Sequence, residues 1–109
     1  MRVFRVRFHP GVEGDLRGIA DWLLEYAGPV STARVIEQLR DTALSLKTAP
    51  HRGTLRNDIL PGLRAIPSGR RGVIAFTVDD ELGEVFVHLV TYAGADWQAR
   101  MTGRQRSHV

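Results

Sequence analysis

The chain of 109 residues contains no cysteine and only one lysine, Lys47. Without cysteine, neither a disulfide framework nor a zinc site built on thiolates can form. No apolar run approaches the roughly 20 residues of a membrane-spanning helix. The opening MRVFRVRF alternates arginine with apolar residues and lacks the apolar stretch of a signal peptide. These absences predict a cytoplasmic protein with no membrane association and one modest hydrophobic core.

The other 14 of the 15 basic residues are arginines, and they are distributed unevenly along the chain. Residues 50–72 contain five arginines and one acidic residue, whereas 79–84 contain four acidic residues. Arginine makes planar, bidentate contacts with phosphate or carboxylate groups that lysine does not make. A basic stripe of this kind is typical of a protein that binds either RNA or an acidic protein segment.

Hydrophobic periodicity predicts the element order β-α-α-β-β-β. Residues 2–8 alternate as in a strand, and residues 12–27 and 32–48 repeat apolar side chains at helical spacing. The link between the two helical segments is short, so they are expected to form an antiparallel hairpin, with Ser31 as the N-cap of its second helix. Residues 51–61 are predicted to be a polar loop. Three further strands are predicted over 63–67, 72–78 and 84–92, joined by short turns.

This order predicts an α+β domain, in which the N-terminal helical hairpin packs on one face of a small antiparallel sheet. One domain is expected over residues 1–98, followed by a polar C-terminal tail over 99–109, whose end TGRQRSHV is expected to be frayed. Both faces of the last strand are largely apolar, which predicts a binding groove on the face without helices. Alternation places Val85, Val87, Leu89 and Thr91 on one face, and Phe86, His88, Val90 and Tyr92 on the other.

Several segments together resemble the ParE-type toxins of the RelE/ParE superfamily, the plasmid stabilisation proteins of bacterial type II toxin–antitoxin systems. They are the acidic and aromatic helix pair that ends at Pro50, the segment PGLRAIPSG before the three-strand meander, and the closing YAGADW. The resemblance covers residues 3–97, although no segment is a strict catalytic motif. It implies the RelE/ParE-like fold and a hetero-oligomer with a ParD-like antitoxin. In this hetero-oligomer, only the antitoxin is expected to contact DNA.

The antitoxin implied by the resemblance has an acidic, amphipathic C-terminal segment that folds on the toxin. Such a segment needs opposite charge and apolar slots on its partner. The residues expected to bind it are Trp22, Leu44, Arg64, Arg70, Arg71 and Phe86.

The superfamily offers two modes of toxicity. RelE-like toxins cut mRNA in the ribosome, whereas ParE-like toxins bind DNA gyrase and stall it, with no known chemistry of their own. A nuclease here would use Arg64, Arg71, His88 and Tyr92. The base is the hardest role to fill, because the pKa of arginine stays above about 12 and the only lysine lies at the end of the second helix.

The strand GVIAFTV also lacks the tyrosine–arginine–aliphatic–x–tyrosine pattern of nucleases and many ParE relatives. We therefore expect a gyrase-binding protein that has no catalytic residue, no cofactor and no metal, since no two histidines have metal-ligand spacing. Asp96, Trp97 and Arg100 are expected to contact the target. The nuclease stays open as an alternative, and a non-toxic structural or autoregulatory partner of the antitoxin is a third hypothesis.

Overall fold

The computed structural model describes residues 2–107, with side chains through residue 105. A five-stranded sheet has the order β1-β5-β4-β3-β2, and a long helical hairpin packs on it. The predicted α+β fold is confirmed. The strands are β1 (Arg5–Phe8), β2 (Thr54–Leu55), β3 (Arg64–Ser68), β4 (Gly72–Asp79) and β5 (Glu84–Tyr92), and the helices are α1 (Val12–Ser45) and α2 (Trp97–Ser107).

The sheet is mixed rather than wholly antiparallel. β1 runs parallel to β5, with Val6 opposite Val85 and Phe8 opposite Val87, whereas the other neighbouring strands are antiparallel. Parallel neighbours require a long crossover, and here the crossover contains α1 and the strands β2 to β4. The two-residue edge strand β2 lies inside the segment that the sequence predicts as a loop.

The hairpin consists of two arms of α1 that meet at Gly28. Gly28 has φ 81° and ψ 173°, a left-handed backbone that glycine adopts without a steric penalty. Pro29 then begins the second arm, at a position where a missing N–H costs little. The second arm thus starts before Ser31, which lies inside the helix and is not its N-cap. Glu13 and Arg40 join the two arms, 3.3 Å apart between Oε1 and Nη2, so the arms are antiparallel as predicted.

The main core lies between α1 and the sheet. Helical spacing on both arms of α1 and alternation on the strands direct apolar side chains into this one layer. The buried members of the main core are Phe4, Val12, Leu16, Leu39, Ala43, Leu46, Ile66, Ile74, Phe76, Val85, Val87 and Val90.

A β-bulge at His88 interrupts the alternation along β5. Phe76 stands opposite Val87 and Ala75 stands opposite Leu89, so His88 is the extra residue. A bulge changes which face the following side chains occupy. Leu89 consequently belongs to a second cluster, away from α1, while Val90 belongs to the main core. The predicted division of β5 into two faces is therefore wrong beyond the bulge.

The second cluster covers the centre of the sheet face that was expected to be open. The predicted tail is helical as far as it is described, and its Met101 is fully buried. The prediction of a frayed tail is wrong here because Met101 and Trp97 both find apolar partners on the sheet. The cluster consists of Leu63, Ala75, Leu89 and Met101, with Ile59, Leu60 and Trp97 packed against it.

Neither helix has the length and apolarity to cross a membrane within residues 2–107.

Candidate interaction site

Trp22, Tyr92 and Arg71 come together at the end of β5. The Trp22 and Tyr92 rings are 6.4 Å apart, and the Tyr26 ring lies 5.1 Å from Trp22. Arg71 reaches this cluster because Gly72 pairs with Tyr92 across the sheet, which brings the β3–β4 turn beside the end of β5. Trp22 is 40% exposed, so the rings form an aromatic surface that a partner can reach.

A groove of about 510 Å³ lies beside this cluster, between the first arm of α1 and the turn after β5. Its helical wall includes Gly14 and Gly18, where a Cβ atom would meet nothing within 4 Å, so helix backbone is accessible there. Ala93 and Gly94 have φ of 60° and 78°, and these two left-handed residues turn the chain from β5 toward α2. The lining residues are Gly14, Asp15, Gly18, Ile19, Trp22, Tyr92, Ala93, Gly94, Ala95 and Arg100. We call this the aromatic groove.

Leu44 lies in a different, apolar groove of about 340 Å³, between β1 and the hairpin. Leu44 and Phe8 are 45% and 43% exposed, and both line this apolar groove. The Glu13–Arg40 ion pair stands at its rim. Leu44, which the sequence predicts to be an antitoxin contact, is therefore a surface residue beside accessible apolar area.

Arg64, Arg70 and Arg71, which belong to the basic stripe in the sequence, lie at the two ends of β3. Arg64 is the first residue of β3, is half-buried, and donates from Nη1 to the carbonyl oxygen of Arg52 at 3.4 Å. Arg70 and Arg71 are exposed in the turn after the strand. A five-residue strand separates the two positions by about 13 Å or more. Only Arg71 adjoins the aromatic groove, through Tyr92.

His88 and Phe86 line a third groove on the sheet face away from the hairpin, beside Leu60 and Pro61. The His88 Nε2 atom lies 2.9 Å from Thr77 Oγ1, and its ring packs edge-on against Phe86 at 4.7 Å. His88 is thus on the opposite side of the sheet from the Trp22–Tyr92 cluster.

The residues expected to contact the target gather around the start of α2. Asp96 Oδ1 accepts the backbone N–H of Ala99 at 3.2 Å and caps the helix. Trp97 is half-buried beneath Arg56, whose guanidinium lies 5.2 Å from the ring centroid. Asp58 accepts two hydrogen bonds from Arg56, which hold the pKa of Asp58 below its usual value. Arg100 is exposed and lines the aromatic groove.

Asp15 and Arg104 form a buried ion pair that sequence reasoning missed. Arg104 donates from Nη2 and Nη1 to the two carboxylate oxygens of Asp15, at 2.7 and 3.0 Å. Only 8% of the Asp15 side chain and 16% of the Arg104 side chain are exposed. The two residues are 89 positions apart, and neither belongs to an apolar or charged pattern, so no local signal marks the pair.

The docking of α2 combines this ion pair with apolar packing, and both respond to substitution. Full burial of a methionine such as Met101 contributes about 1.5–3 kcal/mol. Removal of one member of a buried ion pair costs about 3–5 kcal/mol, because the other charge is left without compensation. Of residues 97–105, only Met101 is fully buried. The position of α2 therefore depends on the Arg104 contact as well as on the packing of Met101 and Trp97.

The architecture is similar to three solved toxin structures. The chromosomal ParDE system from P. aeruginosa gives a TM-score of 0.70 at 17% identity, covering 84% of this chain and 97% of that chain. The RelBE2 toxin–antitoxin complex from Mycobacterium tuberculosis gives 0.65 at 23% identity, covering 85% and 94%. The free E. coli toxin RelE, as a double arginine-to-alanine mutant, gives 0.66 at 19% identity, covering 94% and 97%. These similarities define the RelE/ParE-like toxin fold.

A family model assigns the chain more closely. Residues 6–96 match the model of the ParE toxin of the type II toxin–antitoxin system parDE. Because this match spans most of the chain, the chain belongs to the ParE toxin family. Among curated protein sequences, none matches the chain significantly.

Proposed function

We propose that this toxin acts in the cytoplasm by binding DNA gyrase and stalling it, without cleaving RNA. The separation of the candidate nuclease residues supports this proposal most strongly. RNA cleavage requires a base, an acid and cations around one phosphate, within hydrogen-bond reach. Arg71 and Tyr92 are adjacent, but His88 is on the other face of the sheet and Arg64 is at the far end of β3.

The composition of the aromatic groove also supports a binding mode. Tryptophan, tyrosine and arginine are the residues most enriched at energetic hot spots of protein interfaces. Trp22, Tyr92 and Arg100 line this groove together, and Arg71 stands at its edge. Neither Arg71 nor Arg100 forms an ion pair with another residue in 2–105. Both are available to acidic groups on a partner.

We further propose that a ParD-like antitoxin neutralises the toxin by covering these surfaces, in a hetero-oligomer that contacts DNA only through the antitoxin. Two of the similar structures are a ParDE system and a RelBE2 complex by their titles. An acidic amphipathic segment requires both apolar and cationic surface. The apolar groove at Leu44 offers the first, and the edge of the aromatic groove at Arg71 offers the second. Arg64, Arg70 and Phe86 remain proposed contacts outside these two grooves.

The mode of action is tested by two assays on the same purified toxin. In a gyrase supercoiling assay, we expect inhibition that the antitoxin reverses, and in cells we expect growth arrest with an SOS response. In a ribosome assay, we expect mRNA to stay intact. Codon-specific cleavage that is abolished by Arg71→Ala or Tyr92→Phe contradicts the proposal and supports the RelE-like nuclease. Tight antitoxin binding without either activity supports a non-toxic autoregulatory partner.

A further inference from the structure

We infer that Asp15 and Arg104 are positioning residues, which hold α2 so that Arg100 faces the aromatic groove and can contact the target. The inference rests on the proposed function, since it names the residues that fix the position of Arg100 at the proposed binding site. Asp15 lines the floor of the aromatic groove, but both side chains are largely buried and bound to each other, so we assign them a positioning role and not a direct contact with the target.

Arg104 joins α2 to two other elements at once. Besides the two bonds to Asp15 on α1, its Nη1 donates to the carbonyl oxygen of His88 at 2.8 Å, within the bulge of β5. Asp15 Oδ2 in turn accepts the backbone N–H of Val90 at 3.1 Å. The forked guanidinium is therefore held in one orientation by partners on both sides, a geometry that lysine cannot reproduce.

The start of α1 is shaped to admit this guanidinium. A Cβ atom at Gly11 would lie 2.7 Å from Arg104 Cζ, so any larger residue there would press against the planar head group. The absence of a side chain at Gly11 lets the end of α2 approach the beginning of α1 directly.

Arg100 depends on this contact because it precedes Arg104 by one helical turn. Residues four apart lie on the same face of a helix, and Asp15 and Arg100 both line the aromatic groove. Apolar packing alone gives α2 few contacts that could hold it in place, because its sequence WQARMTGRQRS contains only two large apolar residues and includes a glycine. An isolated helix of this length is not stable in water. When the ion pair is lost, we expect α2 to loosen and Arg100 to leave its position.

A double-mutant cycle tests whether the ion pair acts through Arg100. The variant Asp15→Asn/Arg104→Met removes both charges, so no buried charge is left uncompensated, and the amide oxygen introduced at position 15 can still accept from the Val90 N–H. We expect it to raise the half-inhibitory concentration for gyrase about tenfold when Arg100 is present, and less than about twofold when Arg100→Ala is also present. The single variant Arg104→Lys is expected to fall between these values. Gln98→Ala, at an exposed position of α2, is the matched control and should match the parent protein.

Hydrogen exchange of the α2 amides gives a second measurement that does not depend on the target. We expect faster exchange in the Asp15→Asn/Arg104→Met variant across α2, with little change in β4. Unchanged exchange in α2, or additive losses in the cycle, overturns the inference. Absence of gyrase inhibition by the parent protein instead counts against the proposed function, and the exchange result still decides whether the pair holds α2.

Discussion

The Arg71 guanidinium lies 5.9 Å from the centroid of the Tyr92 ring, so the β3–β4 turn and the end of β5 share one surface. Trp22, from the first arm of α1, also packs near Tyr92, with the two ring centroids 6.4 Å apart. Three segments that are far apart in the chain thus form the edge of the aromatic groove. We expect substitutions at this edge to affect partner binding most.

Arg71→Glu is expected to weaken antitoxin binding, and to weaken it more at low salt than at high salt. The reason is that exposed charges are screened beyond about 10 Å at 0.1 M ionic strength. Titration calorimetry at two salt concentrations measures the effect. Arg34→Glu makes the same charge change at an exposed position on the second arm of α1, and it should change the affinity little. Equal losses for both variants point to net charge rather than to a local contact.

Gly18→Ala is expected to stabilise the fold by about 0.5–1 kcal/mol, because alanine favours helix and the added methyl meets open space. Urea denaturation measures the change. Gly28→Ala is expected to destabilise the fold instead, since φ is 81° at Gly28 and a Cβ atom is strained in that conformation. A loss of stability in Gly18→Ala contradicts the open wall of the aromatic groove. A bulkier Gly18→Leu variant should keep the fold and weaken partner binding by filling that groove.

Leu44→Asp is expected to leave the isolated toxin folded and to weaken its complex with the antitoxin. Leu44 is 45% exposed beside the apolar groove, so a carboxylate there stays hydrated in the free protein but opposes an apolar and acidic partner. Leu39→Asp is the matched contrast, since Leu39 is buried in the main core and a charge there should unfold the chain. Circular dichroism of the free protein separates the two cases, and unfolding by Leu44→Asp places Leu44 in the core instead.

Met101→Ala is expected to destabilise the protein by about 2–5 kcal/mol, the cost of truncating a fully buried methionine. Thermal unfolding measures this cost. Thr102→Ala changes the adjacent, exposed position of α2 and should cost far less. Similar small effects for both substitutions indicate that α2 is not docked on the sheet.

The hairpin and the meander were predictable because their signals are local. Apolar residues recur at helical spacing on both arms of α1, and Gly28-Pro29 marks the break between them. The predicted strands over 63–67, 72–78 and 84–92 match β3, β4 and β5 within one residue. The bulge at His88 was not predictable, because an inserted residue has no sequence signature when both faces of a strand are apolar.

The amino-acid sequence by itself determined the α+β class, the hairpin, the meander and the family, since each depends on short-range periodicity and on the order of segments. Only the tertiary structure decided that β1 joins β5 in parallel, that α2 covers the centre of the second sheet face, and that Arg64 and His88 lie apart from Arg71 and Tyr92. The reason is physical: strand partners, bulges and buried ion pairs such as Asp15–Arg104 depend on long-range packing, which becomes favourable only after distant segments meet.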